Sequence, residues 1–417
     1  MASTHPYFAT LVLFSILIGA SPLFLPVVQA QSIVSRVTVG TGPVGVAYDS
    51  NKGELFVTNY FDNTVSVISD STNTVVALVN VGNNPVGAVY DSSKEEVFVV
   101  NSGTDPSPGS TLSSNTISVI SDSNNKVVAT VNVGSDPGGL AYDPIRGEIF
   151  VANSGSNMVS VISDTSNMVV ANITVGSLPA SISYDSAMKE VFVTNANTTR
   201  PGSNTVSVIS DSNDSVIATV TVGRGPLGIA YDANKGETFV TNLGSNITSV
   251  ISDATNMVVA NITTGSSPDG VTCDPDSGTV FITNPYENTV SLISDATNTV
   301  IADYAVGAAP VGVAYDSNKG EIFVTNYHDN TVFGIHLTNS SRNSSTSSPA
   351  LSSSSSLTSI ITTQTHSVTI QKSTQNNPST IPSMGSGVVY FAAGMATVII
   401  IVAASLFASK RRKKRPL

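Results

Sequence analysis

Residues 33–40 read IVSRVTVG, a β-branched run ending in Gly that stands ahead of the first full unit of a repeat. The unit that follows, at 43–82, is PVGVAYDSNKGELFVTNYFDNTVSVISDSTNTVVALVNVG. It divides into four short apolar runs separated by Gly, Asn, Asp and Pro, the signature of four strands joined by tight turns. The fourth runs of later units, VVATVNVG at 127–134 and VVANITVG at 169–176, have the form of the orphan segment. The last unit stops after its third run, near Leu337. The orphan therefore supplies the missing fourth strand of the last unit and closes a ring, whereas a linear solenoid would leave it without a partner. Closure also removes sheet edges that would otherwise template aggregation.

A Tyr-Asp pair ends the first strand of each unit (Tyr48-Asp49 is the first), with Cys273-Asp274 as the variant copy; successive Asp residues are 42, 52, 42, 47, 42 and 42 residues apart. The second strand always ends in Asn, as FVTN, FVVN, FVAN or FITN, at Asn59, Asn101, Asn153, Asn195, Asn242, Asn284 and Asn326. A third strand follows, TVSVISD at 64–70 and its relatives, with the last copy drifted to TVFGIHL at 331–337. Seven four-stranded units of ~42 residues predict an all-β, seven-bladed propeller over residues 31–338. Each strand reads as apolar on both faces, which predicts blades sandwiched between neighbours.

These FVTN segments, within the pattern PVGVAYD, GEIFVTN, NTVSVISD and VVATVNVG, resemble the YVTN family of β-propeller repeats. The resemblance covers residues 33–337 and implies a protein of the archaeal surface-layer or cell-surface type. It specifies fold better than function, because propellers host unrelated activities.

The flanking segments predict where the ring resides. Residues 1–30 read as a secretory signal, with an apolar stretch at 8–28 and small residues before a cleavage point after Ala30; an uncleaved N-terminal anchor is the alternative. Residues 339–386 are rich in Ser and Thr, carry no acid and predict a disordered stalk. The 22 apolar residues 387–408 would form a helix about 33 Å long, enough to cross a bilayer. The run KRRKKR at 410–415, within the tail 409–417, orients that helix with its C-terminus in the cytoplasm. The expectation is a single-pass membrane protein with an extracellular propeller.

Composition narrows the functional classes. All 29 acidic residues lie in the ring segment against ten basic ones, a net charge of −19 there. That balance excludes a nucleic-acid partner, since phosphate contacts require Lys and Arg. The single Cys, Cys273, rules out an internal disulfide framework. His is confined in the ring to His328 and His336, so neither a three-His metal site nor a Ser-His-Asp triad assembles. Enzymatic propellers similar to this one use channel His residues or Trp-rich docking, and Trp is absent. The expectation is a non-catalytic interaction, adhesion or surface-layer module with no cofactor or metal and a protein or glycan partner in the envelope. The alternative is an extracytoplasmic enzyme or small-ligand receptor that uses the channel.

A residue repeated in every blade serves the blade, so the seven strand-ending Asn residues read as structural, as do Asn63 and its counterparts at the start of the third strands. Differences between blades carry more information. The loops 102–114 and 196–203 are longer than their equivalents and open on the face of the Gly-Pro links. Asp105, Arg200, Arg224 and His328 are the candidate binding residues of that face; neutral insertion is the competing reading of the loops. The Asp274-Pro275-Asp276-Ser277-Gly278 segment lacks calcium-loop spacing and reads as a hairpin turn. Sequons place candidate N-glycans at Asn172, Asn197, Asn213, Asn246, Asn261, Asn339 and Asn343.

Overall fold

In the computed structural model, residues 31–103, 115–196 and 204–337 are described. They form 28 strands in seven four-stranded antiparallel sheets, each sheet a blade. Blade 1 runs through strands Pro43–Asp49, Glu54–Asn59, Thr64–Ser69 and Thr74–Asn80, from the channel outward. Blade 7 takes three strands from residues 310–337 and its outermost from Gln31–Thr38, which pairs antiparallel with Thr331–Leu337. The ring closes as the orphan segment predicts. The signal, stalk, membrane helix and tail expected at 1–30, 339–386, 387–408 and 409–417 lie outside the described residues.

Burial follows radial position. The second strand is the most enclosed, and its Phe residues (Phe56, Phe98, Phe150, Phe192, Phe239, Phe281, Phe323) are all fully buried. Each such ring removed from water contributes about 2–3 kcal/mol. The cores lie between blades rather than within them. Phe323 and Val332 of blade 7 meet Leu55, Val57 and Ile68 of blade 1, with Val37 of the N-terminal strand completing the cluster.

The outermost strand departs from the expectation of apolar packing on both faces. Leu78 is 63% exposed and Met257 65%. Blades diverge with distance from the axis, so neighbouring sheets separate at the rim. One residue of the outer strand, such as Val79 or Val131, is still buried in the core, with Ala77 or Ala129 packed half-buried beside it.

Three sets of polar bonds hold neighbouring blades in register. On the channel side, the Thr58 hydroxyl accepts the Gly45 N–H at 2.8 Å and donates to the Val86 carbonyl of the next blade at 3.0 Å. Thr194, Thr241 and Thr283 repeat this, and Thr325 carries it across the seam to the Val44 carbonyl at 2.8 Å. Val100 and Ala152 stand in its place in blades 2 and 3. The approach is close: a Cβ on Gly312 would lie 2.2 Å from the Val44 oxygen. On the opposite face, the Asp49 carboxylate accepts the Asn51 and Lys52 N–H groups at 2.9 and 3.1 Å, forming the Asx turn its sequence predicts. Asp274 does the same for Asp276 and Ser277. From these turns Lys52, Arg146 and Lys319 reach the carbonyls of Asp122, Asp211 and Asp70, each one blade onward. The Tyr48 hydroxyl donates to Asp70 at 3.1 Å and lies beside Asp316 of the preceding blade; burial, then the Asp316 carboxylate, pushes its pKa up. Cys273, in the Tyr position of blade 6, packs half-buried against the core between blades 5 and 6, and burial raises its thiol.

Candidate functional site

The loops between second and third strands share one face with the links between blades. Asn63 shows why. It adopts a left-handed conformation, φ 57°, and its Oδ1 accepts the Asn84 N–H of the link to blade 2 at 2.8 Å. Asn115, Asn157, Asn204, Asn246, Asn288 and Asn330 bind the equivalent links. Asn tolerates left-handed backbone while offering a side-chain acceptor.

The seven strand-ending Asn residues are buried inside their blades. Asn59 Nδ2 donates to Thr64 and Ser66 of the third strand at 3.0 and 2.9 Å. Asn101, Asn153, Asn195, Asn242 and Asn284 each donate to the matching Ser, and Asn326 to Thr331. They form no ring around the channel.

Of the four candidate binding residues, Asp105 and Arg200 fall outside the described residues. Arg224 is exposed on the link into blade 5, where its N–H donates to Ser245 Oγ at 3.1 Å. His328 is exposed in the blade 7 loop, its ring 5.2 Å from that of Tyr327 and tilted by 70°. Arg224 and His328 share a face but sit on different blades. Among the described residues no group of three or more His, Cys, Asp or Glu side chains is placed to hold a metal ion. Of the sequons, Asn172, Asn213, Asn246 and Asn261 are exposed, while Asn197, Asn339 and Asn343 lie outside the described residues.

Two features of this face escape the repeat-based reading. The first is an aromatic row across the seam. Phe61, 56% exposed, packs edge-on to Tyr60 with centroids 5.1 Å apart and lies 6.0 Å from Tyr327 of blade 7. Gly42 lies beneath both rings with φ 66°, where a Cβ would meet Phe61 at 2.7 Å. Tyr286 of blade 6 is 79% exposed on its own loop. The sequence signal is the contrast of YFDN at 60–63, PYEN at 285–288 and YHDN at 327–330 with SGSN at 154–157 and LGSN at 243–246.

The second feature is the mouth of the channel, a cavity of about 410 Å³. In six blades the residue after the Pro that leads into the inner strand frames it: Val44, Val86, Gly138, Ala180, Leu227 and, in blade 6, Asp269. Asp269 is the one acid in that series. Its backbone is held like the others, the N–H donating to the Thr283 carbonyl at 3.0 Å and the carbonyl accepting from Thr241 at 2.6 Å. Its carboxyl has no hydrogen-bond partner among the described residues, and burial alone pushes its pKa up to about 7.

That shift predicts a pH-dependent stability. In the unfolded chain Asp269 ionises near pH 4. Folding therefore opposes its ionisation, and stability from this group is complete below about pH 4 and lost as pH rises towards about 7. Asp269→Val, the residue of blades 1, 2 and 7, is expected to stabilise the ring at pH 8 by about 2 kcal/mol, allowing for water in the cavity. The gap should close by pH 4 in paired urea titrations. Equal stability of variant and wild type at pH 8 would remove the claim.

No family model matches the sequence. No curated protein matches it either. Among solved structures, the chain is similar to Kuenenia stuttgartiensis hydrazine synthase, with a TM-score of 0.64 and 17% identity over 72% of this chain and 97% of that one. At that identity the likeness is one of fold alone. The 1614 solved chains that match show how widely the fold is shared, so it leaves the activity open.

Proposed function

We propose that this chain is a surface-displayed propeller of the YVTN-like type that binds an envelope glycan without catalysis, using the face that carries the inter-blade links. The aromatic row of Tyr60, Phe61 and Tyr327 carries this reading. Exposed aromatic groups on a rigid scaffold mark interaction surfaces, and flat rings beside acceptors suit the apolar face and hydroxyls of a sugar. Asp62 and Asp329 flank the row, each accepting a link N–H, from Thr41 and Ala308 respectively. Display outside the cell rests on the apolar segment 387–408 and the basic run after it.

The test is binding of the full chain to fractionated envelope polysaccharide. Replacing Phe61 and Tyr327 together with Ser should weaken binding at least tenfold and leave the melting transition within about 3 °C. Unaltered affinity in the double variant would refute the aromatic face as the binding surface.

A further inference from the structure

The Asp269 cavity shares Tyr60 with the aromatic row but neither Phe61 nor Tyr327, and it points to a second kind of ligand. Six of the seven residues following the inner-strand Pro are apolar or Gly. Blade 6 therefore shows what the fold does not need at this position. A half-buried carboxylate without a partner among the described residues is still costly, and the chain's own repeats provide Val as the inexpensive solution. Among the described residues Asp269 caps no turn, bonds no side chain and has no Lys or Arg beside it in the cavity. Its backbone keeps the inter-blade bond from Thr241, so the acid is not needed for register.

The surroundings select the ligand's chemistry. Asp269 with Asp136, the one other acid lining the cavity among the described residues, falls short of a divalent-metal donor set. It does suit one organic cation. Val44, Val86 and Leu227 supply apolar walls, and Tyr60 adds an aromatic ring to the lining. About 410 Å³ is within the range of small-ligand sites. The acid excess of the ring would raise the local concentration of cations.

We propose that the channel mouth binds a small organic ammonium, its charged nitrogen set against the Asp269 carboxylate and its hydrocarbon part against Val44, Val86 and Leu227. The ligand acts as counter-ion to an acid unpaired among the described residues.

Equilibrium dialysis of the full chain with benzylammonium, benzyl alcohol and benzoate tests this. Benzylammonium should bind with one-to-one stoichiometry, at least tenfold more tightly than either of the others. Asp269→Val should weaken its binding at least tenfold, while Asp136→Asn changes it less than twofold. Binding should strengthen as pH rises from 5 to 8, as Asp269 ionises; Asp136 and Tyr60 are the other titratable groups lining the cavity. The Phe61 and Tyr327 double variant should retain binding, so the glycan face and this cavity can fail independently. Equal affinity for all three probes, undiminished binding by Asp269→Val, or no benzylammonium binding at millimolar concentration would each overturn the proposal. Asp269→Val uses a residue the ring already accommodates in three blades, so a loss of binding with an intact melting transition reads as loss of the site.

Discussion

Deleting residues 31–38 from the full chain is expected to lower the melting transition of the ring by about 10 °C or to leave it aggregating, a loss on the order of 5 kcal/mol. That segment pairs with the last strand from Gln31↔Leu337 to Thr38↔Thr331. Without it, Thr331–Leu337 becomes an open sheet edge. Val37, 5% exposed, also leaves the cluster that joins blade 7 to blade 1. Val37→Asp is a milder version of the same experiment, placing a charge in that cluster while keeping the chain length. Calorimetry on both variants measures the effect. A transition unchanged by the deletion would mean that the seam holds by other contacts, such as Thr325 to Val44 and Lys319 to Asp70.

Phe323→Ala should destabilise the ring by about 3–5 kcal/mol. Phe323 is fully buried, and its neighbours Leu55, Val57 and Ile68 belong to the next blade. Backbone ladders on both sides fix those residues, so the void has little room to collapse. Urea titration should show a lower midpoint with an unchanged slope, the mark of lost stability without lost cooperativity. A cost below about 1 kcal/mol would mean that the blades slide to fill the space. The deletion removes backbone pairing and this substitution removes side-chain packing, so together they separate the two contributions to closure.

The architecture was legible because each blade repeats one solution. Alternating apolar and turn residues fixed four strands, and the orphan IVSRVTVG required a partner that only the last blade lacks. The Asx turns and the buried Asn residues follow from the same repetition, because a position retained in every copy answers a need every copy has. Exposure of the outer strand was not legible. Leu78 and Val79 both read as core residues, and only the radial splay of the blades exposes the first and buries the second.

The candidate site divides the same way. Arg224 and His328 stood out by charge and rarity, yet the structure puts them on separate blades and leaves both outside the channel mouth. Phe61 and Tyr327 are 266 positions apart in the chain, and ring closure sets their rings 6.0 Å from each other. Asp269 follows a Pro as its counterparts in the other blades do, and its place at the channel mouth is what sets it apart. The sequence by itself determined the strand pattern, the blade count and the closing partner of residues 33–40, since hydrophobic period and turn chemistry are local. Tertiary structure alone decided which side chains converge on the channel and the seam, because those distances depend on curling seven sheets around one axis.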